Sequence, residues 1–447
     1  MSPLAAIAGL PGTTDRAALS AAARHAGAAG AGVIVVVGKP RVDLLAALAD
    51  GLVEPARIVL HVLAGAALPA APAGIEIVTL DDDVGDAPPR VDLLVVTAGL
   101  GADAIRDTLT HWLPRLHEDG GLVAVEDHVD GHEVAAGVSE AVPFAWYQQV
   151  ARPHRLLVLR RQREARRLVL CGGMQSSGSS LVSWCFLQRG DMDGVYDLHN
   201  PLIQQDFAAV RTAIAWVKMT IGAFRLDELV AFYTAQGWQV STLLVTRGLA
   251  DVLGSLRGKD YGFDGSTSDD PPLYLRARRY AADLARAREA GWVILDYEAL
   301  CAAPVASLQA TCAALDLPWD EAMTHWPKAL EDIAYPGGGS PTLNATRGQA
   351  GALVDTVRRY EARGGASSAP VTDPVIARAI AAFEHGTDTA SLPPLPPVPY
   401  RDSHRHRLER ELAEARRDLA RLGRHPVFGP LLRLWRRLVN RDFPDCS

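Results

Sequence analysis

Leu168-Val169-Leu170-Cys171-Gly172-Gly173-Met174-Gln175-Ser176-Ser177-Gly178-Ser179-Ser180-Leu181-Val182-Ser183-Trp184-Cys185-Phe186-Leu187 is the stretch that decides the fold class. Its first residues form a short, wholly apolar run, as a strand buried on both faces requires, and Leu181–Leu187 continues as a helical run. Between them lie glycines and a cluster of hydroxyls. A strand, a glycine-rich turn and a helix in that order make an anion site. The turn aims successive backbone N–H groups inward, the helix N-terminus adds partial positive charge, and serines add hydrogen bonds. Ser179 or Ser180 is also expected to cap the helix, which gives part of the hydroxyl enrichment a structural cause. No Lys follows Gly178, so the loop is not a Walker A motif.

A second unit of the same kind follows. Leu243-Leu244-Val245-Thr246 reads as a strand with Arg247 at its C-terminal end, and Gly248-Leu249-Ala250-Asp251-Val252-Leu253-Gly254-Ser255-Leu256 opens a helix. An Arg fork at a strand end suits a phosphate, and Ser255 can reach the same group from the helix. Further on, Trp292-Val293-Ile294-Leu295-Asp296-Tyr297-Glu298-Ala299-Leu300 is another strand running into a helix, with Pro304 after it.

In this order the units resemble the PAPS-dependent sulfotransferases, over about 180 residues within 167–365. Ser177, Gly178, Ser179 and Ser180 match the family's 5′-phosphosulfate loop. Arg247, Asp251, Val252 and Ser255 match its 3′-phosphate motif. Lys218 and the helix starting at Leu226-Asp227-Glu228-Leu229 are similar to the family's Lys and the helix after it, and Tyr297 matches the residue near the adenine. Arg347-Gly348 is similar to the loop that closes over the nucleotide. The resemblance implies PAPS as donor, no metal, and sulfuryl transfer to a hydroxyl of a carbohydrate, glycolipid or other small acceptor. It also implies a general base near the end of the next strand, Gly194-Val195-Tyr196, where Asp197 and His199 are both candidates. His199 has the more suitable intrinsic pKa and Asp197 the closer positional match. One departure stands out. The family's basic residue before Ser-Gly falls at Ser176, and the lost charge-assisted bond costs roughly 1.5–3 kcal/mol unless Lys218 or a cation from elsewhere replaces it.

Residues 1–165 alternate strand and helix patterns, with strands expected at 33–37, 57–63, 75–80, 91–97 and 121–126. Two further runs, 144–148 and 155–159, lie too close together for a helix between them and read as an antiparallel hairpin. This is a doubly wound α/β pattern. Its second half, from Val91-Asp92-Leu93-Leu94-Val95-Val96 to Gly120-Gly121-Leu122-Val123-Ala124-Val125-Glu126, is similar to class I SAM-dependent methyltransferases. The cofactor half departs from that family. Gly38-Lys39-Pro40-Arg41 stands where a glycine-rich turn belongs, and His61 stands where a ribose-gripping acid belongs. The resemblance therefore implies a degenerate methyltransferase-like domain.

The expected architecture is two parallel-sheet α/β domains, at 1–165 and 166–392, and a basic amphipathic helical tail at 401–447. The charged stretch Arg160-Arg161-Gln162-Arg163-Glu164-Ala165-Arg166-Arg167 reads as a solvated linker between the first two. Pro393–Pro399 reads as a stiff spacer before the tail. With twelve Arg against seven Asp plus Glu and a Trp-bearing apolar face, the tail can lie on an anionic membrane surface, or pack on the protein's own body or a second subunit. A net charge of −7 speaks against nucleic acid as the main partner. Five scattered cysteines without zinc spacing suit a reducing cytosol, with contact at the inner membrane face left open by the tail. Lys259–Pro271, polar and aromatic, reads as an acceptor loop. Two other readings stay open: a silent nucleotide-binding or assembly module, and methyltransferase activity in the first domain.

Overall fold

Short all-apolar runs have nowhere to go but the middle of a sheet covered on both faces, and this chain builds two such sheets. The computed structural model describes residues 14–28, 33–39, 41–52, 57–62, 76–80, 88–126, 132–195, 205–220, 225–257, 273–329, 353–362 and 374–384. The first sheet contains β1 (Val33–Gly38), β2 (Arg57–Val62), β3 (Glu76–Leu80), β4 (Leu93–Val96), β5 (Leu122–Val125), β6 (Tyr147–Ala151) and β7 (Leu157–Arg161). Its order is β3-β2-β1-β4-β5-β7-β6; β1–β5 run parallel, and β7 pairs antiparallel with both β5 and β6. Helices α1 (Asp15–Gly27) and α2 (Val42–Gly51) cover one face, while α3 (Ala102–Trp112) and α4 (His132–Ala141) lie against the other.

The second sheet is entirely parallel, in the order β12-β11-β8-β10-β9. Its strands are β8 (Arg167–Gly173), β9 (Met192–Val195), β10 (Ile214–Thr220), β11 (Gln239–Thr246) and β12 (Val293–Asp296). After β8 the chain moves to β9 and β10 on one side, and after β11 it moves to β12 on the other. The crevice between the C-terminal ends of β8 and β11 is thus a topological switch point, where open α/β sheets bind ligands. Helices α5 (Ser179–Leu187), α9 (Tyr297–Ala302) and α10 (Pro304–Ala314) cover one face. On the opposite face lie α6 (Leu226–Ala235), α7 (Leu249–Arg257), α8 (Leu273–Ala290) and a helix at Pro374–Glu384. The fold is therefore α/β with two parallel-dominated sheets, as the apolar runs imply.

The hairpin expected at 144–148 and 155–159 forms a few residues later. Phe144 and Ala145 are buried in the turn that precedes β6, held by Trp146 N–H to Pro143 C=O (2.8 Å), and are not part of the strand. The solvated-linker reading of 160–167 is corrected more substantially. Arg163 and Glu164 are exposed, but Arg160 and Arg161 belong to β7 and Arg167 to β8. Arg166 is 4% exposed, and its guanidinium donates to four carbonyls: Phe144 (3.2 Å), Tyr147 (2.9 Å), Val210 (3.2 Å) and Thr212 (2.6 Å). It also lies over the Trp238 ring, 5.4 Å from its centre. Around it a continuous apolar core joins Phe144, Tyr147 and Leu157 of the first sheet region to Leu168, Phe207, Tyr233 and Trp238 of the second, and Met1–Pro397 forms one compact unit. Residues 401–447 and 259–271 lie outside the described residues.

Candidate functional site

The loop after β8 is shaped by two close approaches. At Gly173 a Cβ would fall 2.4 Å from Ser177 Oγ, so the turn closes only over a bare backbone. Gly178 has φ +95°, and a Cβ there would lie 2.2 Å from Cδ2 of Tyr297; the aromatic ring rests directly on the glycine. Gly178, and neither Ser179 nor Ser180, is the N-cap of α5, with no side-chain capping bond, so the capping expected of those serines is corrected. The turn is closed by Ser177 N–H to Met174 C=O (3.0 Å), and the first helical bond is Val182 N–H to Gly178 C=O (3.1 Å). The amides ahead of Val182 form the positive end of the helix. Ser177 is fully buried, and its hydroxyl has no hydrogen-bond partner among the described residues. An orphaned hydroxyl at a buried loop is costly, and a bound acceptor would relieve it.

Ser176 has φ +67°, and its carbonyl accepts from Nη1 of Arg247 (3.1 Å). The same guanidinium sits 4.8 Å from the centre of the Tyr297 ring. Three units far apart in sequence thus meet at one point: the 174–178 loop, the end of β11 and the start of α9. Ser255 is half-buried on α7, the helix that follows Arg247. Gly248 N–H donates to Oε1 of Glu298, next to Tyr297, tying the β11 and β12 ends together (3.1 Å).

Helix α8 adds residues that motif reasoning did not find. Arg276, Arg279, Tyr280 and Asp283 occupy one buried stripe at helical spacing. Arg276 donates through Nη1 to Oε1 of Gln175 in the loop. The Tyr280 hydroxyl bonds to both backbone groups of Arg247, accepting from its N–H (3.3 Å) and donating to its C=O (3.4 Å), and burial raises the pKa of this phenol. Asp283 accepts from Leu226 N–H at the start of α6 (2.9 Å), and burial pushes its carboxyl well above the usual range. A signal was present in the sequence: four polar residues on the buried side of an otherwise alanine-rich helix.

Lys218 is 3% exposed on β10, abreast of Cys171 on β8. Trp216, two residues before it, stacks on Phe186 of α5 at 4.7 Å, so Lys218 points to the same α5 side of the sheet. Burial drives the neighbouring Cys171 thiol up to about 12. Asp197, His199 and Arg347 lie outside the described residues. Among the described residues, no group of three or more His, Cys, Asp or Glu side chains is placed to hold a metal ion, and no helix is long and apolar enough to cross a membrane.

At the switch point of the first sheet, between β1 and β4, the crevice carries an ion pair. Arg41 grips Glu126 through two bonds (3.1 and 2.9 Å), and Glu126 also accepts from Ala98 N–H (3.0 Å). Lys39 N–H is taken by the Thr97 hydroxyl (2.8 Å). These groups satisfy one another at the place where a Rossmann-type sheet offers its backbone to a cofactor.

Fold and site together define an α/β protein with a glycine–serine loop at the switch point of its second sheet. No family model and no curated protein matches the sequence. Among solved structures, the chain is similar to the sulfotransferase domain of the Synechococcus PCC 7002 olefin synthase. The identity is 13% and the TM-score 0.33, over 50% of this chain and 95% of that one.

Proposed function

We propose that the second sheet carries a sulfotransferase site that binds PAPS and transfers its sulfuryl group to the hydroxyl of a small acceptor, a carbohydrate or glycolipid being the class considered first. The observation that carries this reading is the meeting of the 174–180 loop, Arg247 and Tyr297 at the β8/β11 switch point. Backbone amides at the start of α5, with Ser177, Ser179 and Ser180, receive the 5′-phosphosulfate. Arg247 and Ser255 take the 3′-phosphate, and Tyr297 lies beside the adenine. On binding, Arg247 exchanges the Ser176 carbonyl for a charged acceptor, which makes the stronger bond.

The acceptor oxygen attacks sulfur while the bond from sulfur to the 5′-phosphate oxygen breaks in line. The bonding pair leaves with the phosphate, giving a sulfate ester and adenosine 3′,5′-bisphosphate. The acceptor's proton passes to a base, for which Asp197 and His199 are the candidates. Charge builds on the leaving oxygen, so aligned amides and cations do most of the work and no metal is invoked. Lys218 would act from beneath the loop, on the α5 side.

Calorimetry with adenosine 3′,5′-bisphosphate, PAPS, SAM and ATP tests the reading. Micromolar bisphosphate binding that is lost in Arg247→Ala is expected; binding of SAM or ATP alone would sink it. Turnover of PAPS should fall by at least about 100-fold in Asp197→Asn or in His199→Ala, the scale of a positioned general base. Full rates in both would place the base elsewhere.

A further inference from the structure

We propose that Arg276, carried on α8, supplies the positive charge at the 5′ side of the nucleotide site that position 176 lacks. This rests on the nucleotide reading above and adds to it a donor-binding residue outside both phosphate motifs.

The position of Arg276 is the first argument. Its Nη1 donates to the side chain of Gln175, the residue before Ser176, so the guanidinium stands within one residue of the place where the resembled motif has its cation. Arg247 reaches the same two-residue stretch from the end of β11, through the Ser176 carbonyl. The loop is therefore contacted by two guanidinium groups from different elements, just ahead of the N-terminus of α5. All these groups contribute potential of one sign at one point, which is what a phosphosulfate with its several negative oxygens needs.

The burial of Arg276 is the second argument. It is 1% exposed, so its guanidinium is held out of water against the loop, at a dehydration cost that a charged acceptor would help to offset. A Gln could donate to Gln175 in its place with no charge to dehydrate. The planar fork of Arg, by contrast, fits two oxygens of a phosphate or sulfate at once.

Pre-organisation is the third. One and two turns beyond Arg276, α8 is pinned to the same end of the sheet. The Tyr280 hydroxyl is bonded to the backbone of Arg247, and Asp283 caps the start of α6 at Leu226, whose side chain lies against Gly172. The helix cannot slide or rotate without breaking these contacts, so Arg276 is delivered to the loop at a fixed height.

The test compares two probes by calorimetry: adenosine 3′,5′-bisphosphate, and adenosine 3′-monophosphate, which lacks the 5′ group. Arg276→Ala is expected to weaken bisphosphate binding about 10- to 100-fold, the loss of one charge-assisted bond, and to leave 3′-monophosphate binding unchanged. A purely structural Arg276 would weaken both probes alike or neither, and either result overturns the assignment. Gln175→Ala, which changes only the loop partner, should show a several-fold loss with the same selectivity. If Arg276→Ala does not fold, Arg276→Lys and Arg276→Gln decide. The Lys variant should keep more bisphosphate affinity than the Gln variant, and equal affinities overturn the proposal. A wild type that binds neither probe removes the nucleotide reading and this assignment together. A wild type that binds bisphosphate no better than the Arg276 variants removes the assignment alone.

Discussion

Replacing Arg166 by Met should destabilise the whole 1–397 unit, although its sequence neighbourhood reads as a hydrophilic linker. The side chain donates to Phe144 and Tyr147 C=O at the β6 hairpin and to Val210 and Thr212 C=O ahead of β10, so it joins both sheets through one charge. Its backbone is also engaged, with N–H to Ala145 C=O (2.7 Å) and C=O from Gln239 N–H (3.2 Å). Burial lowers the guanidinium to about 10, so it still enters the interface charged at neutral pH. Four charged bonds at roughly 1.5–3 kcal/mol each overstate its worth, because dehydration of the cation offsets part of the gain. Removing the donors while keeping the apolar stem leaves buried carbonyls partly unsatisfied, for a net loss of about 3–5 kcal/mol out of a typical total of roughly 5–15. Urea denaturation should show that loss as a lower midpoint at unchanged slope. Hydrogen exchange should accelerate together at 147–151 and 207–214. Arg163→Ala, an exposed change in the same stretch, serves as control and should stay within about 0.5 kcal/mol. A loss below about 1 kcal/mol for Arg166→Met would refute the claim that this residue fastens the halves.

Gly178→Ala should cost roughly 2–4 kcal/mol, from left-handed backbone strain plus displacement of the Tyr297 ring 2.2 Å from the new Cβ. Thermal melting and bisphosphate binding should both suffer, and a variant that melts and binds like wild type would contradict the packing described. Asp283 has its pKa raised above the ordinary 3.8 by burial, so the folded protein holds a proton that the unfolded chain releases. Stability from this group is present below about pH 3.8 and declines as pH rises from there through the folded value. Asp283→Asn keeps an oxygen for Leu226 N–H and should flatten that decline, leaving the protein at least as stable as wild type at pH 8. Denaturation midpoints measured from pH 4 to 8 check this; an undiminished slope in the variant would count against a buried, protonated Asp283.

Much of the site was readable from the chain because its parts are local. The glycine–serine loop, Arg247 at a strand end, and Tyr297 at the start of a helix each follow from a strand running into a helix, and the structure brings these three to one crevice. Arg276 was not readable in the same way. On its own helix it is one of several arginines, and only the docking of α8 against the loop places its guanidinium on Gln175. Arg166 was misread for the same reason: in a row of charges nothing local distinguishes the one that four carbonyls surround.

The sequence alone determined the kinds of elements and their alternation, since period-two and apolar-run patterns act over a few residues and need no distant partner. It also determined the strand–glycine turn–helix order of the loop, which is a property of consecutive residues. Tertiary structure decided the strand order β12-β11-β8-β10-β9, and with it that the loop and Arg247 would be neighbours. It also decided which charges were buried. Strand order and charge burial depend on which faces meet, and that is a balance of dehydration and packing summed over the whole core, which no single stretch of residues contains.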